Sequence, residues 1–84
     1  MAHNEYPATV DGLIEVLTRI KEKCGGSTYV QVNTLGESIT GLVSVCLDND
    51  MGTDEENALV YLETDIDENY YPATFNFYTQ GEEI

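Results

Sequence analysis

The sequence predicts an α+β fold, one N-terminal amphipathic helix packed on a four-stranded antiparallel sheet, on three observations. Apolar residues recur at helical spacing from Val10 to Lys23, the pair Gly25-Gly26 ends that pattern, and from Tyr29 onward the apolar period is two. A helix followed by strands buries its stripe most simply across the apolar face of one sheet.

The helix is the clearest element. Val10, Leu13, Ile14, Leu17 and Ile20 form one stripe. Thr9 is the expected N-cap, Asp11 suits the positive end of the helix dipole, and Arg19, Lys21 and Lys23 suit the negative end before the glycines stop the helix. Tyr29-Val30-Gln31-Val32-Asn33 alternates as a first strand, and Ile39, Val43, Val45 and Leu47 share parity along a second. Leu35-Gly36-Glu37 between them fits a tight hairpin, which would make the two strands antiparallel neighbours. Asp48 to Asn57 reads as an acidic loop and Ala58 to Glu63 as a third strand with Ala58, Val60 and Leu62 on one face. Asp65 to Pro72 reads as a second acidic connection, and Phe75-Asn76-Phe77-Tyr78 as the fourth strand. The expected unit is a single acidic domain over residues 1–84, of modest stability because so short a chain buries only roughly 60% of the surface it exposes when unfolded.

Charge is the main functional clue. After Lys23 the sequence contains no Lys, Arg or His, yet it carries twelve of the sixteen carboxylates, and the formal net charge is -13. Isolated ionised carboxylates are too costly to bury, so these acids are expected on the surface. Because the acids are interleaved with Val, Ile, Leu, Tyr and Phe, they decorate a core; a disordered acidic tail would lack those residue types. With a pI near 4.1 the protein is expected to repel nucleic acid and anionic membranes and to seek basic partners. The opening Met1-Ala2-His3-Asn4-Glu5 lacks the basic and apolar segments of a signal peptide, and no apolar run approaches membrane-spanning length. A soluble cytoplasmic protein is the expectation, and in that compartment Cys24 and Cys46 are expected to stay unpaired.

Candidate chemistry is sparse. Counted as a calcium loop from Asp48, the sixth and twelfth positions are Thr53 and Leu59; counted from Asp65 they are Tyr70 and Asn76. Neither supplies the glycine and the bidentate glutamate that such a loop needs. His3 stands in what reads as a frayed terminus, Cys46 has no local base, and no phosphate loop, nucleophile motif or zinc spacing occurs. The expectation is therefore a protein without catalytic residues, metal or cofactor.

What remains is the acidic surface. A folded chain of this length has a diameter of about 30 Å, over which duplex DNA presents about 18 charges, comparable with the net thirteen here. The candidate partner-binding residues are Asp48, Asp50, Asp54, Glu55, Glu56, Glu63, Asp65, Asp67 and Glu68, with Tyr70 and Tyr71 adding aromatic contact area.

From Ala8 to Val32 the pattern TV-x-x-LI-x-x-L, a glycine turn and V-x-V resembles the helix-then-strand opening of small phage and bacterial proteins. In size and charge the whole chain resembles the small acidic phage-encoded DNA mimics, of the kind that inhibit the histone-like protein HU. That resemblance implies a non-enzymatic inhibitor that occupies the nucleic-acid-binding site of a basic host protein, in the host cytoplasm or nucleoid, and a homodimer joined away from the acids. It supplies no residue motif, so the candidate residues rest on the charge pattern. The alternatives are a small acidic adaptor for an ordinary protein partner and a weak calcium-binding module.

Overall fold

The computed structural model describes residues 3–33, 41–64 and 71–84. Its elements in chain order are β1 (His3–Pro7), α1 (Val10–Cys24), β2 (Tyr29–Asn33), β3 (Leu42–Asp48), β4 (Leu59–Thr64) and β5 (Thr74–Thr79). The class is α+β, but the sheet has five strands in the order β1-β5-β3-β4-β2, and it is mixed. Strands β1 with β5 and β3 with β4 pair antiparallel, whereas β2 with β4 and β3 with β5 pair parallel.

Three expectations are corrected here. The terminus that reads as frayed is a strand, with the register aligning His3 to Tyr78 and Tyr6 to Phe75. Its pattern is weak because Tyr6 is the one large apolar residue in it, and Pro7 is tolerated because β1 lies at the sheet edge. Next, β2 and β3 are not neighbours: β4 lies between them. Leu35-Gly36-Glu37 and Ile39 lie outside the described residues. The third correction is the all-antiparallel sheet. β4 runs back along β3, hence in the same sense as β2, and slots beside it.

Helix α1 begins as expected, with Thr9 Oγ1 accepting a hydrogen bond from the Gly12 amide at 3.1 Å, and it ends at Gly25, whose φ of 112° suits a residue without Cβ. The face it buries is rotated from the expected stripe. Gly12, Val16, Ile20 and Cys24 are buried and Leu13 and Leu17 half-buried, while Val10 and Ile14 are 76% and 55% exposed. Two contacts set the rotation. Arg19 donates to the Tyr6 hydroxyl and to the Ile84 backbone oxygen, with its guanidinium 5.4 Å from the Phe77 ring centre, which draws that flank toward β1 and β5. Gly12 lies so close to the preceding turn that a Cβ there would sit 2.0 Å from the Pro7 carbonyl oxygen.

The core lies between α1 and one sheet face. It is built from Val16, Ile20, Cys24, Tyr6, Val45, Leu47, Val60, Phe75 and Phe77, with Leu42, Leu62 and Ile84 packed around it. The register of β3 shifts between Leu42 and Ser44, so a bulge at Val43 reverses the parity, and Leu42 rather than Val43 packs on the core. Alternation sends Ser44, Cys46, Glu63 and Tyr78 to the opposite sheet face. Cys24 and Cys46, both buried and free, therefore lie on opposite sides of the sheet.

Candidate partner-binding surface

The segment from Asp48 to Asn57 leaves the end of β3 and is held in place by its own polar residues. Asp54 Oδ1 accepts from the Glu56 and Asn57 amides at 3.1 and 2.9 Å, and the Asn57 side chain donates to both Asp54 oxygens at 2.8 and 3.0 Å. Glu55 reaches the helix exit, where its Oε2 accepts from the Ser27 amide at 2.6 Å and its Cγ fills the space that a Cβ on Gly25 would need. Asp54 thus closes the loop on itself, and Glu55 ties it to the exit of α1. Asp48 is half-buried and its Oδ1 accepts from the Asp50 amide at 3.4 Å. Asp50 and Glu56 are exposed and present their charge to solvent.

Sequence reasoning missed two members of this surface. Asn49, 4% exposed, donates through Nδ2 to the Glu82 carbonyl at 2.7 Å and accepts at Oδ1 from the Gly81 amide at 2.7 Å, while the Gln80 amide donates to the Leu47 carbonyl at 3.0 Å. These bonds draw the tail to the loop and set exposed Glu82 and Glu83 at the same end of the sheet as Asp48 and Asp50. The available signal was Asn49 itself, an amide with both a donor and an acceptor inside an acidic run. The end is not purely anionic, because Lys23 and Asp54 both lie near enough to act on the Cys24 thiol.

Glu63 stands apart from the loop and the tail. It is half-buried on the sheet face away from the helix, where Oε1 accepts from Ser44 Oγ at 2.5 Å and from the Tyr78 hydroxyl at 2.8 Å. Burial, then the hydrogen bond to Glu63, pushes the Tyr78 phenol well above its ordinary value, and burial raises the Cys46 thiol beside it. Burial raises the Cys24 thiol in the core as well. In all three the folded state favours the protonated form, so their contribution to stability is complete below the unfolded values and is lost as pH rises toward the folded ones. The free energy of urea unfolding is expected to be flat at neutral pH, to fall once pH passes the ordinary thiol value of 9.0, and to fall faster beyond the ordinary phenol value of 10.0. Tyr78→Phe should remove the second component. An unfolding free energy independent of pH across both values would show that these groups are not protected by the fold.

The first acidic segment precedes β4 in the chain and the second follows it, so six strand residues, roughly 20 Å, separate their attachment points. Asp65, Asp67, Glu68 and Tyr70 lie outside the described residues; Tyr71, which follows them, is 62% exposed. Among the described residues no three His, Cys, Asp or Glu side chains are grouped to hold a metal ion, and no helix is long and apolar enough to cross a membrane. No protein-family model, curated protein sequence or solved structure matches the chain.

Proposed function

We propose that this protein is a non-enzymatic DNA mimic that occupies the nucleic-acid-binding cleft of a basic host protein, with a histone-like protein as the kind of target. The reading rests on one observation, a net charge of -13 carried on an elongated body. The molecule is 35 Å along its longest axis, a length over which duplex DNA presents about 20 charges. Asp48, Asp50, Glu56, Glu82 and Glu83 stand at one end of β4, and Asp65, Asp67 and Glu68 follow its other end in the chain. Of the three basic side chains, Arg19 is turned to Tyr6, Phe77 and Ile84, so it offsets little of the outer charge. On this reading the chain acts in the host cytoplasm or nucleoid and carries no cofactor.

The test is displacement of labelled duplex DNA from a histone-like protein. Wild type should displace it, and displacement should weaken steeply as salt rises. A variant with Asp48→Asn, Asp50→Asn, Glu56→Gln, Glu82→Gln and Glu83→Gln leaves Asp54, Glu55 and Glu63 to hold the fold. It should bind about ten- to a hundredfold more weakly, since each exposed charge contact contributes under about 1 kcal/mol. A second variant neutralising Asp65, Asp67 and Glu68 should weaken binding in the same way. If both variants displace DNA as well as wild type, the acids are only a solvated surface and the reading fails.

A further inference from the structure

We propose that residues 80–84 form a strap that closes on the acidic loop and opens ahead of the rest of the fold, with ionic strength setting how often it opens. The strap is held at two points. At the first, the Gln80 amide donates to the Leu47 carbonyl at 3.0 Å, the Gly81 amide donates to Asn49 Oδ1 at 2.7 Å, and Asn49 Nδ2 donates to the Glu82 carbonyl at 2.7 Å. The fit is close, because a Cβ on Gly81 would sit 2.8 Å from both the backbone oxygen and Oδ1 of Asn49. At the second point Ile84 packs against the core, and its backbone oxygen accepts from Arg19. Past Gln80 the ladder of the sheet has ended, and the side chains of Asn49 and Arg19 bind the strap's backbone.

Two features oppose closure. Asn49 stands between Asp48 and Asp50 in the chain, so its bond to the Glu82 carbonyl holds the exposed Glu82 close to two like charges. The range of that repulsion grows from about 8 Å at 0.15 M salt to about 30 Å at 0.01 M. Where the strap begins, the Thr79 hydroxyl is buried with no hydrogen-bond partner among the described residues, and an unsatisfied buried group favours any opening that lets water reach it. Salt therefore closes the strap. Screening weakens the repulsion between exposed carboxylates, whereas the Asn49 and Arg19 bonds are partly buried and are screened much less. Resting on the reading of this acidic end as a partner surface, a basic target closes the strap in the same way that salt does.

Residue-by-residue amide hydrogen exchange of the free chain tests the strap without any target, so its failure leaves the displacement assay to decide the DNA-mimic reading separately. The Gly81 amide should be protected about tenfold less, or weaker still, than the Val45 amide in the central strand β3. Raising NaCl from about 0.01 M to about 0.5 M should slow exchange at Gly81 by about three- to tenfold beyond any change at Val45. Asp50→Asn combined with Glu82→Gln, both at exposed positions, should slow Gly81 exchange at low salt and remove at least half of that salt response. Asn49→Ala should leave Gly81 unprotected at every salt while Val45 stays protected; if that variant does not fold, the exposed pair decides alone. Protection at Gly81 that matches Val45 at every salt overturns the proposal. So does a salt response that the exposed pair leaves intact, or protection that survives Asn49→Ala.

Discussion

Phe77→Ala is expected to remove about 3–5 kcal/mol of stability, a large share of what a chain of this length possesses. Phe77 is fully buried in the middle of the helix-facing sheet surface, paired in register with Val45 on one side and Asn4 on the other. Its ring meets the Tyr6 ring edge to face at 6.4 Å and carries the Arg19 guanidinium above it. The substitution opens a cavity at the point where β1, β5, β3 and the helix meet, and it removes the surface on which Arg19 rests before Arg19 reaches Tyr6 and Ile84. At roughly 0.05–0.15 kcal/mol per residue the whole chain holds about 4–13 kcal/mol, and self-repulsion among its carboxylates favours the lower part of that range. Urea unfolding in moderate salt measures the loss, with Phe77→Leu as the control that keeps most of the buried volume. A loss below about 1 kcal/mol for the alanine variant would mean that the sheet and helix do not close on this ring.

The second large effect is at Gly12, where local propensity and tertiary contact predict opposite signs. In an exposed helix interior, glycine to alanine stabilises by about 1 kcal/mol. Here the added Cβ would meet the Pro7 carbonyl oxygen at 2.0 Å and the Pro7 carbonyl carbon at 3.0 Å, and both are backbone atoms that cannot rotate away. To relieve the clash, α1 must move off the β1 turn, and the Arg19 contacts and the burial of Val16 move with it. Gly12→Ala is expected to destabilise by about 2 kcal/mol or more, the scale of overpacking in a close-packed interior. Thr18→Ala, at an exposed position of the same helix, should be neutral or stabilising. An equal gain in stability for both variants in thermal unfolding would show that the helix does not press on Pro7.

Much of the fold is legible in the sequence because its signals are local. The Thr9 cap, the basic last turn and Gly25 bound the helix where the chain says they should, since caps and dipole complements act within one turn of the helix end. Strands β2, β3, β4 and β5 fall on segments whose period of two announces them, with ends displaced by a residue or a few. The period does not name a partner. A strand with one apolar face alternates in the same way whether its neighbour runs parallel or antiparallel, so the mixed sheet and the insertion of β4 beside β2 cannot be read from it. β1 was hidden for the opposite reason: its one large apolar residue makes no pattern.

The candidate surface divides in the same way. The sequence alone determined that the chain is strongly anionic, that its bases gather in one helix and that the acids fall in two segments, because net charge and order along the chain do not depend on folding. Tertiary structure decided what the described carboxylates contact. Asp54 and Glu55 became struts of their own loop, Glu63 was drawn under Tyr78 and Ser44, and Glu82 and Glu83 joined Asp48 and Asp50 through Asn49. It also rotated the helix, burying Val16 and leaving Val10 and Ile14 exposed. The physical reason is range. Periodicity and composition report the burial that one segment needs, whereas hydrogen bonds between residues 28 or 33 positions apart exist only once the chain has closed.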